Sequence, residues 1–177
     1  PTGPIGLDVG AVLWAVTASA ATWLLSTWAA GAVSDRIGRR RTYLLGWIAQ
    51  LVGVAVLFPL VDTGNIGLLA LALVILSVGL GFTYGPQAAF YAEMFPASIR
   101  FSGVSISYAL GAILGGAFAP TIATALVGAT GTSWSVAAYL AGMTLVGLLA
   151  TLCLRDRSGI PLGPDHEADQ AVGPLRF

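Results

Sequence analysis

Gly31-Ala-Val-Ser-Asp35-Arg36-Ile-Gly38-Arg39-Arg40-Arg41 sets four arginines and an aspartate between two stretches that carry no charge, Val9 to Ser34 and Thr42 to Val61. A membrane-spanning helix needs about 20 mainly apolar residues, and each flank is long enough. An arginine at a helix centre costs roughly 2.5–3.5 kcal/mol on insertion scales, so four together belong outside the bilayer. The stretch is therefore a loop between two membrane helices.

The same pattern continues outward. Uncharged runs extend from Thr63 to Ala92 and from Phe101 to Leu154. The second is too long for one helix and is broken by the turn residues Ala129-Thr-Gly-Thr-Ser133. The reading is an all-α integral membrane protein, a five-transmembrane-helix bundle over 1–157 with spans at about 9–34, 42–61, 66–91, 102–128 and 134–154. Residues 158–177, polar, acidic and rich in Pro and Gly, are expected to form a disordered cytoplasmic tail.

Composition agrees. Only 9% of the 177 residues are charged, against about 25% in soluble domains, and mean hydropathy is +0.85. All eight basic residues are Arg, balanced by eight acids. Placed on the five spans, Arg36, Arg39, Arg40, Arg41, Arg100, Arg155, Arg157 and Arg176 all fall on one side. The opposite turns, Asp62 to Gly67 and Ala129 to Ser133, hold none. The positive-inside rule makes the arginine side cytoplasmic, with the N-terminus outside and the C-terminus inside. An outward start, an odd span count and a first residue that is Pro1 lead to the expectation that further chain precedes.

Other functions fare poorly. The single Cys153 and the single His166, the latter in the tail, supply no disulfide, redox pair or metal motif. No span holds a His, a Lys or a close carboxylate pair, so no enzyme is expected. Nucleic-acid binding is not expected either, because four of the arginines fill one short loop beside the membrane.

Helices in lipid associate through small residues and a few polar contacts. Ser107, Gly111, Gly115 and Ala119 repeat every four residues on the fourth span and should admit a neighbouring backbone; Gly116 and Pro120 nearby suggest bending. Gly46, Ala49, Gln50 and Gly53 share a face of the second span, which turns Gln50 toward protein. On the third span Ser77, Gly81, Tyr84, Gln87 and Tyr91 lie along one side, with Pro86 interrupting the backbone ladder. Two readings stand for Tyr84 and Gln87: a cavity-facing stripe that contacts or gates a substrate, or interhelical hydrogen bonding. Tyr91 reads rather as an interfacial anchor. Tyr108 and Ser105 on the fourth span, and Trp14 and Thr17 on the first, are weaker pathway candidates.

Asp35 and Glu93 each sit near the C-terminal end of a helix, where the helix dipole disfavours a carboxylate. Both need a partner, and Arg36, Arg39, Arg40 and Arg100 are at hand. One reading is a charge network that holds helix ends together in one conformation and separates in another. The other is that the arginines set topology and the acids are solvated, since exposed pairs contribute only about 0–1 kcal/mol.

With these residues in view, the loop from Gly31 to Arg41 resembles the G-x-x-x-D-R-x-G-R-R/K-R/K motif of the major facilitator superfamily, which follows the second helix there and recurs after the eighth. Tyr84-Gly-Pro-Gln-Ala-Ala-Phe-Tyr-Ala-Glu93-Met-Phe-Pro96-Ala-Ser-Ile-Arg100-Phe-Ser-Gly103 is similar to the segment joining its tenth and eleventh helices. The E-x-F-P-x-x-x-R core is shared by sugar porters and metabolite:proton symporters. Y-G-P-Q and the run from Leu110 to Pro120 favour the symporters, whose members resemble shikimate, α-ketoglutarate, dicarboxylate and proline/betaine carriers. The resemblance covers roughly 9–157 and implies part of one half of a major facilitator fold, its eighth to twelfth helices. It implies a proton-coupled carrier of organic acids or compatible solutes in the plasma or inner membrane. Its partners would be the bilayer, a small-molecule metabolite and an N-terminal half outside this chain; it needs no cofactor beyond a proton gradient. It also implies that Gly31, Asp35, Arg36, Gly38, Arg39, Arg40, Glu93 and Arg100 control alternating access.

The departures matter as much. The family's site lies between two six-helix halves, and no span here holds a mid-membrane ionisable residue, the usual mark of proton coupling; Asp8 and Asp62 lie toward the outer ends. The chain alone is therefore expected not to transport. A sugar-porter-type fragment, and a truncated protein that transports nothing, are the competing expectations.

Overall fold

The computed structural model describes residues 8–173. Five helices among them are long and apolar enough to cross a membrane. α1 runs over Val9–Ile37, α2 over Arg39–Val61 and α3 over Ile66–Ala92. The fourth crossing is composite, α4 (Arg100–Gly111), a π-helical segment (Ala112–Ala117) and α5 (Ala119–Thr130). α6 spans Trp134–Cys153. The fold is thus the helical bundle expected, and its fourth member is broken into three pieces.

Local chemistry explains the ends. The Asp8 carboxylate accepts from the Ala11 N–H at 2.9 Å and caps α1. Asn65 does the same for α3, accepting from the N–H groups of Gly67 and Leu68 at 2.8 and 3.3 Å. Between α1 and α2 stands a single residue, Gly38, with φ +96°. Side chains avoid that region, and only glycine reverses the chain there without strain. Gly131, at φ +69°, ends α5 in the left-handed conformation, its N–H bonded to the Val127 carbonyl at 2.8 Å. The π segment lies just ahead of Pro120, which cannot donate to the carbonyl four residues back. The bend expected near Gly116 and Pro120 takes this form.

α3 packs along both α1 and α2, and α2 packs on α6. Glycines set the separation. A methyl group at Gly79 would lie 2.5 Å from the Gln50 nitrogen, one at Gly46 2.6 Å from the Thr83 nitrogen, and one at Gly85 2.5 Å from the Thr27 carbonyl. The backbones touch where those side chains are missing, as small-residue packing in lipid requires. Ser26 Oγ adds a hydrogen bond to the Ser77 carbonyl at 3.2 Å. At the arginine-bearing end, Tyr43, Phe90 and Met94 form a buried cluster flanked by Trp47, Tyr91, Phe95 and Leu154.

The fourth crossing differs from the expectation. Ser107, Gly111 and Gly115 are exposed, and an added methyl at Gly111 or Gly115 would meet nothing within 4 Å. The stripe can receive a helix, but α4 meets α3 only briefly and α5, beyond the π segment, borders α6, so among the described residues no helix packs closely on it.

The tail also differs. Residues 158–173 include a 3₁₀ turn (Pro164–His166) and a short helix, α7 (Glu167–Gln170), and they lie against helix ends. Gln170 and Glu167 find backbone partners on the α3–α4 loop. The remainder of the tail, with Arg176, lies outside the described residues.

Candidate functional site

Two groups of candidate residues meet at the arginine-bearing end. The first is a charge cluster built where the α1–α2 turn faces the end of α3. Arg39, the first residue of α2, lies 2.8 Å from Glu93 (Nε to Oε1) and 3.2 Å from Asp35 (Nη1 to Oδ1). One guanidinium thus takes both acids, Asp35 on the last turn of α1 and Glu93 at the end of α3. The two pairs are unequal. The Asp35 side chain is 70% exposed, whereas that of Glu93 is 8% exposed. A screened pair contributes little, and a shielded one leaves a stranded charge if broken.

Glu93 is held by charge more than by aligned hydrogen bonds. The Arg39 Nε–H does not point along the line to Oε1, and Glu93 Oε2 has no donor. Burial pushes the Glu93 carboxyl above the usual carboxylate range; Arg39 opposes this, Asp156 adds to it and Arg157 opposes it. Its second oxygen is therefore a buried acceptor ready for a proton.

The other arginines do not pair with acids as the sequence suggested. Arg100 donates from Nε to the carbonyls of Ala92 and Phe95 at 2.9 and 3.3 Å, closing the end of α3. Arg40 donates to the carbonyls of Thr151 and Leu152 at 3.3 and 2.9 Å, closing the end of α6. Both satisfy carbonyls that a helix leaves unpaired and put positive charge at the negative end of its dipole. Arg157, a residue the sequence placed only in the topology count, is 4% exposed and donates to the Met94 carbonyl at 3.2 Å. A buried arginine just past the last span was not legible, because its partners are backbone atoms distant in sequence. Arg36 is exposed and stands outside these contacts. Gly31 lies where Gly85 of α3 crosses α1, its nitrogen 3.0 Å from a methyl built on Gly85.

The second group is a recess of about 330 Å³ lined by Tyr43 and Trp47 of α2, Tyr84, Gln87 and Tyr91 of α3, and Ser107, Tyr108 and Gly111 of α4. All three pathway candidates, Tyr84, Gln87 and Tyr108, line it. The α3 stripe divides in two. Ser77 and Gly81 are buried against Ser26 of α1, while the tyrosines and Gln87 face the recess. Gln87 Nε2 donates to the Tyr91 hydroxyl at 3.4 Å, and Tyr84 packs edge-on to Trp23 with centroids 5.6 Å apart. Gln50 Oε1 is buried without a donor. Trp14, Thr17 and Ser105 are exposed and line neither group.

Lipid-length helices, closed at one end by arginines and holding a half-polar recess between them, define a multi-span transmembrane protein with room for a small molecule. The chain belongs to the Major Facilitator Superfamily, whose sequence profile matches residues 2–175. It is 35% identical over 167 residues to the inner membrane metabolite transport protein YhjE of Escherichia coli (strain K12), a match covering 89% of this chain and 36% of that protein. It is 30% identical over 154 residues to the shikimate transporter of the same strain, covering 86% of this chain and 33% of that one. The proline/betaine transporter of that strain is 33% identical over 132 residues, covering 75% of this chain and 26% of its own. The chain thus spans about a third of the length of these relatives. No solved structure matches it.

Proposed function

We propose that this chain is the eighth-to-twelfth-helix portion of a proton-coupled secondary transporter of small organic metabolites, organic acids or compatible solutes, and that it works by alternating access together with an N-terminal half. In this reading the arginine-bearing end faces the cytoplasm of a plasma or inner membrane and the C-terminus lies inside. The recess of Tyr84, Gln87 and Tyr108 borders the substrate path, and the open face of α4 and α5 receives the remainder of the carrier. The chain by itself does not transport, since the coupling carboxylate and any counter-charge lie outside it. The relatives named for metabolites, shikimate and proline/betaine support the substrate class.

The observation that carries the mechanism is Arg39 standing between Asp35 and the shielded Glu93. It ties the α1–α2 turn to the end of α3 in this conformation. Because the Glu93 pair is shielded, opening it needs either a replacement partner or a proton, which makes it a latch rather than a surface pair.

Uptake into proteoliposomes by the intact carrier tests this. Glu93→Gln and Arg39→Gln should each lower the uptake rate about 10-fold with normal membrane insertion, a change of about 1.4 kcal/mol in the limiting barrier. The Arg39→Glu/Glu93→Arg exchange should recover part of it. Uptake kinetics unchanged in both single variants overturn the latch. For the orientation, Arg41→Cys should react with an impermeant thiol reagent only after the cytoplasmic face is opened, and Thr63→Cys before.

A further inference from the structure

The tail reaches both motif-bearing loops at once. It leaves α6 beside the α1–α2 turn, where a methyl built on Gly38 would lie 3.7 Å from Ser158 Oγ and 3.8 Å from Asp156 Oδ2. Its described part reaches the loop between α3 and α4. There Gln170, 3% exposed, accepts from the Ala97 N–H and from Arg100 Nη2, each at 2.9 Å. Its amide donates back to the carbonyls of Pro161 and Gly163 at 2.6 and 2.8 Å, so every polar atom of the side chain is used and the tail is pinned to its own turn. The Gln170 carbonyl accepts from buried Arg157. Glu167 accepts from the N–H and the hydroxyl of Ser98, the former at 3.2 Å, and Arg100 donates to the Leu162 carbonyl at 2.8 Å.

The two loops belong to parts that pack differently. α1, α2 and α3 form one closely packed group, while α4 meets α3 only near its start. A segment that lies against the turn of the first group and is hydrogen-bonded to the α3–α4 loop and to Arg100, the first residue of α4, restrains their relative movement.

We propose that residues 158–173 are a regulatory strap, docked through Gln170 and Glu167 on the α3–α4 loop, that holds α4 against the α1–α3 group and must detach for α4 to move. The restraint on α4 stands on these contacts alone; its effect on transport rests on the carrier reading above. A buried polar side chain with all its hydrogen bonds made, three to backbone groups and one to Arg100, is specific rather than a chance surface contact. Detachment exposes the Ala97 and Ser98 amides and frees Arg100 from its tail partners while its bonds to Ala92 and Phe95 remain.

Three measurements on the intact protein in membranes test the strap. Amide exchange of the 95–100 segment should be slow in the native protein and at least 10-fold faster in Gln170→Ala, with a smaller increase in Glu167→Ala, whose side chain meets only Ser98. Exchange that is equally fast in all three overturns the docking. In a Cys153→Ala background, Ser107→Cys on α4 should react with a cytoplasmic thiol reagent at least 3-fold faster or slower once Gln170→Ala is added. An unchanged rate with the amides protected overturns the restraint while leaving the docking. Uptake is read separately: altered labelling with no transport of any solute defeats the carrier reading and not the strap, whereas normal uptake indifferent to Gln170→Ala defeats its regulatory role.

Discussion

The α1–α3 group and the α4–α5 crossing use the same residue types to opposite ends. Gly79 and Gly85 of α3 each stand against another helix's backbone, at 2.5 Å from an added methyl to the nearest atom. Gly111 and Gly115 of the fourth crossing stand against nothing, and no residue from Phe101 to Phe118 is buried. In lipid a leucine gains little by leaving the chains around it, so packing reports backbone approach rather than apolarity. Small residues mark where a helix can be received. Only the structure shows whether this chain supplies one.

The largest expected effect breaks that contrast directly. Gly85→Val puts two methyl groups into the Thr27 carbonyl and Ala30, both of which belong to a packed helix and cannot turn aside. Overpacking of this kind costs about 3 kcal/mol, and thermal unfolding in detergent should show it. Gly115→Ala, on the open face, should cost nothing and gain up to about 1 kcal/mol in helix propensity. Equal losses at the two sites would mean that the α4 face is occupied by a neighbour as close as α1 is to α3.

Next comes the loop between the two regions. Arg100→Gln removes the donors to Ala92, Phe95 and Leu162 and weakens the hold on Gln170. Charged hydrogen bonds are worth about 1.5–3 kcal/mol each, but those facing solvent are replaced by water. A net loss of about 2 kcal/mol, read by the same unfolding transition, is the expectation. Arg36→Gln, exposed, should lie within about 0.5 kcal/mol of the native protein. A loss at Arg36 matching that at Arg100 would return both to a role in topology alone.

How much of this could be read beforehand divides along the same line. Span lengths and the one-sided arginines depend on the solvent each residue tolerates, which is local, so the bundle and its fold class followed from Val9 to Cys153. The Asp35–Arg39–Glu93 meeting was half legible. Two carboxylates at the wrong end of a helix dipole demand partners, but that Arg39 takes both, and Arg40 and Arg100 take carbonyls, depends on where helix ends stand in space. Gln170 was not legible at all. A glutamine among Pro, Gly and acids reads as solvated chain, and three of its four partners are backbone groups that have no signature in residue type, the fourth being Arg100, distant in sequence. The pathway candidates came together because helical spacing fixes a face, while Ser77 and Gly81 on that same face turned out to serve packing.

A smaller effect concerns Glu93 and pH. Its carboxyl is raised above the ordinary 4.5, burial outweighing Arg39. The native state therefore holds this proton more firmly than the unfolded chain does. By linkage, stability from this site is greatest in acid and falls as pH rises from about 4.5 through the raised value. Glu93→Gln should flatten that decline in the unfolding temperature measured between pH about 4.5 and 7. A slope of the same size in the variant would assign it to other groups. The opposite slope would mean that the ion pair with Arg39 outweighs burial.

The smallest effect sharpens the packed side of the comparison. Trp47 Nε1 donates to Thr151 Oγ1 at 3.0 Å, joining α2 to α6, while the same indole lies against Gly147. Hydrogen bonds between membrane helices average about 0.6 kcal/mol in double-mutant cycles, because the unfolded helix also finds partners within the bilayer. The ring contact and the hydrogen bond can be separated. Thr151→Val keeps the shape and removes the acceptor, and Gly147→Ala drives a methyl to 2.5 Å from the ring. A cycle of Thr151→Val with Trp47→Phe should give a coupling of about 0.6 kcal/mol, with Gly147→Ala costing more than either. Were the coupling to exceed the cost at Gly147, the α2–α6 contact would be held by its polar pair, and α6 would differ in kind from the glycine-spaced α1–α3 group.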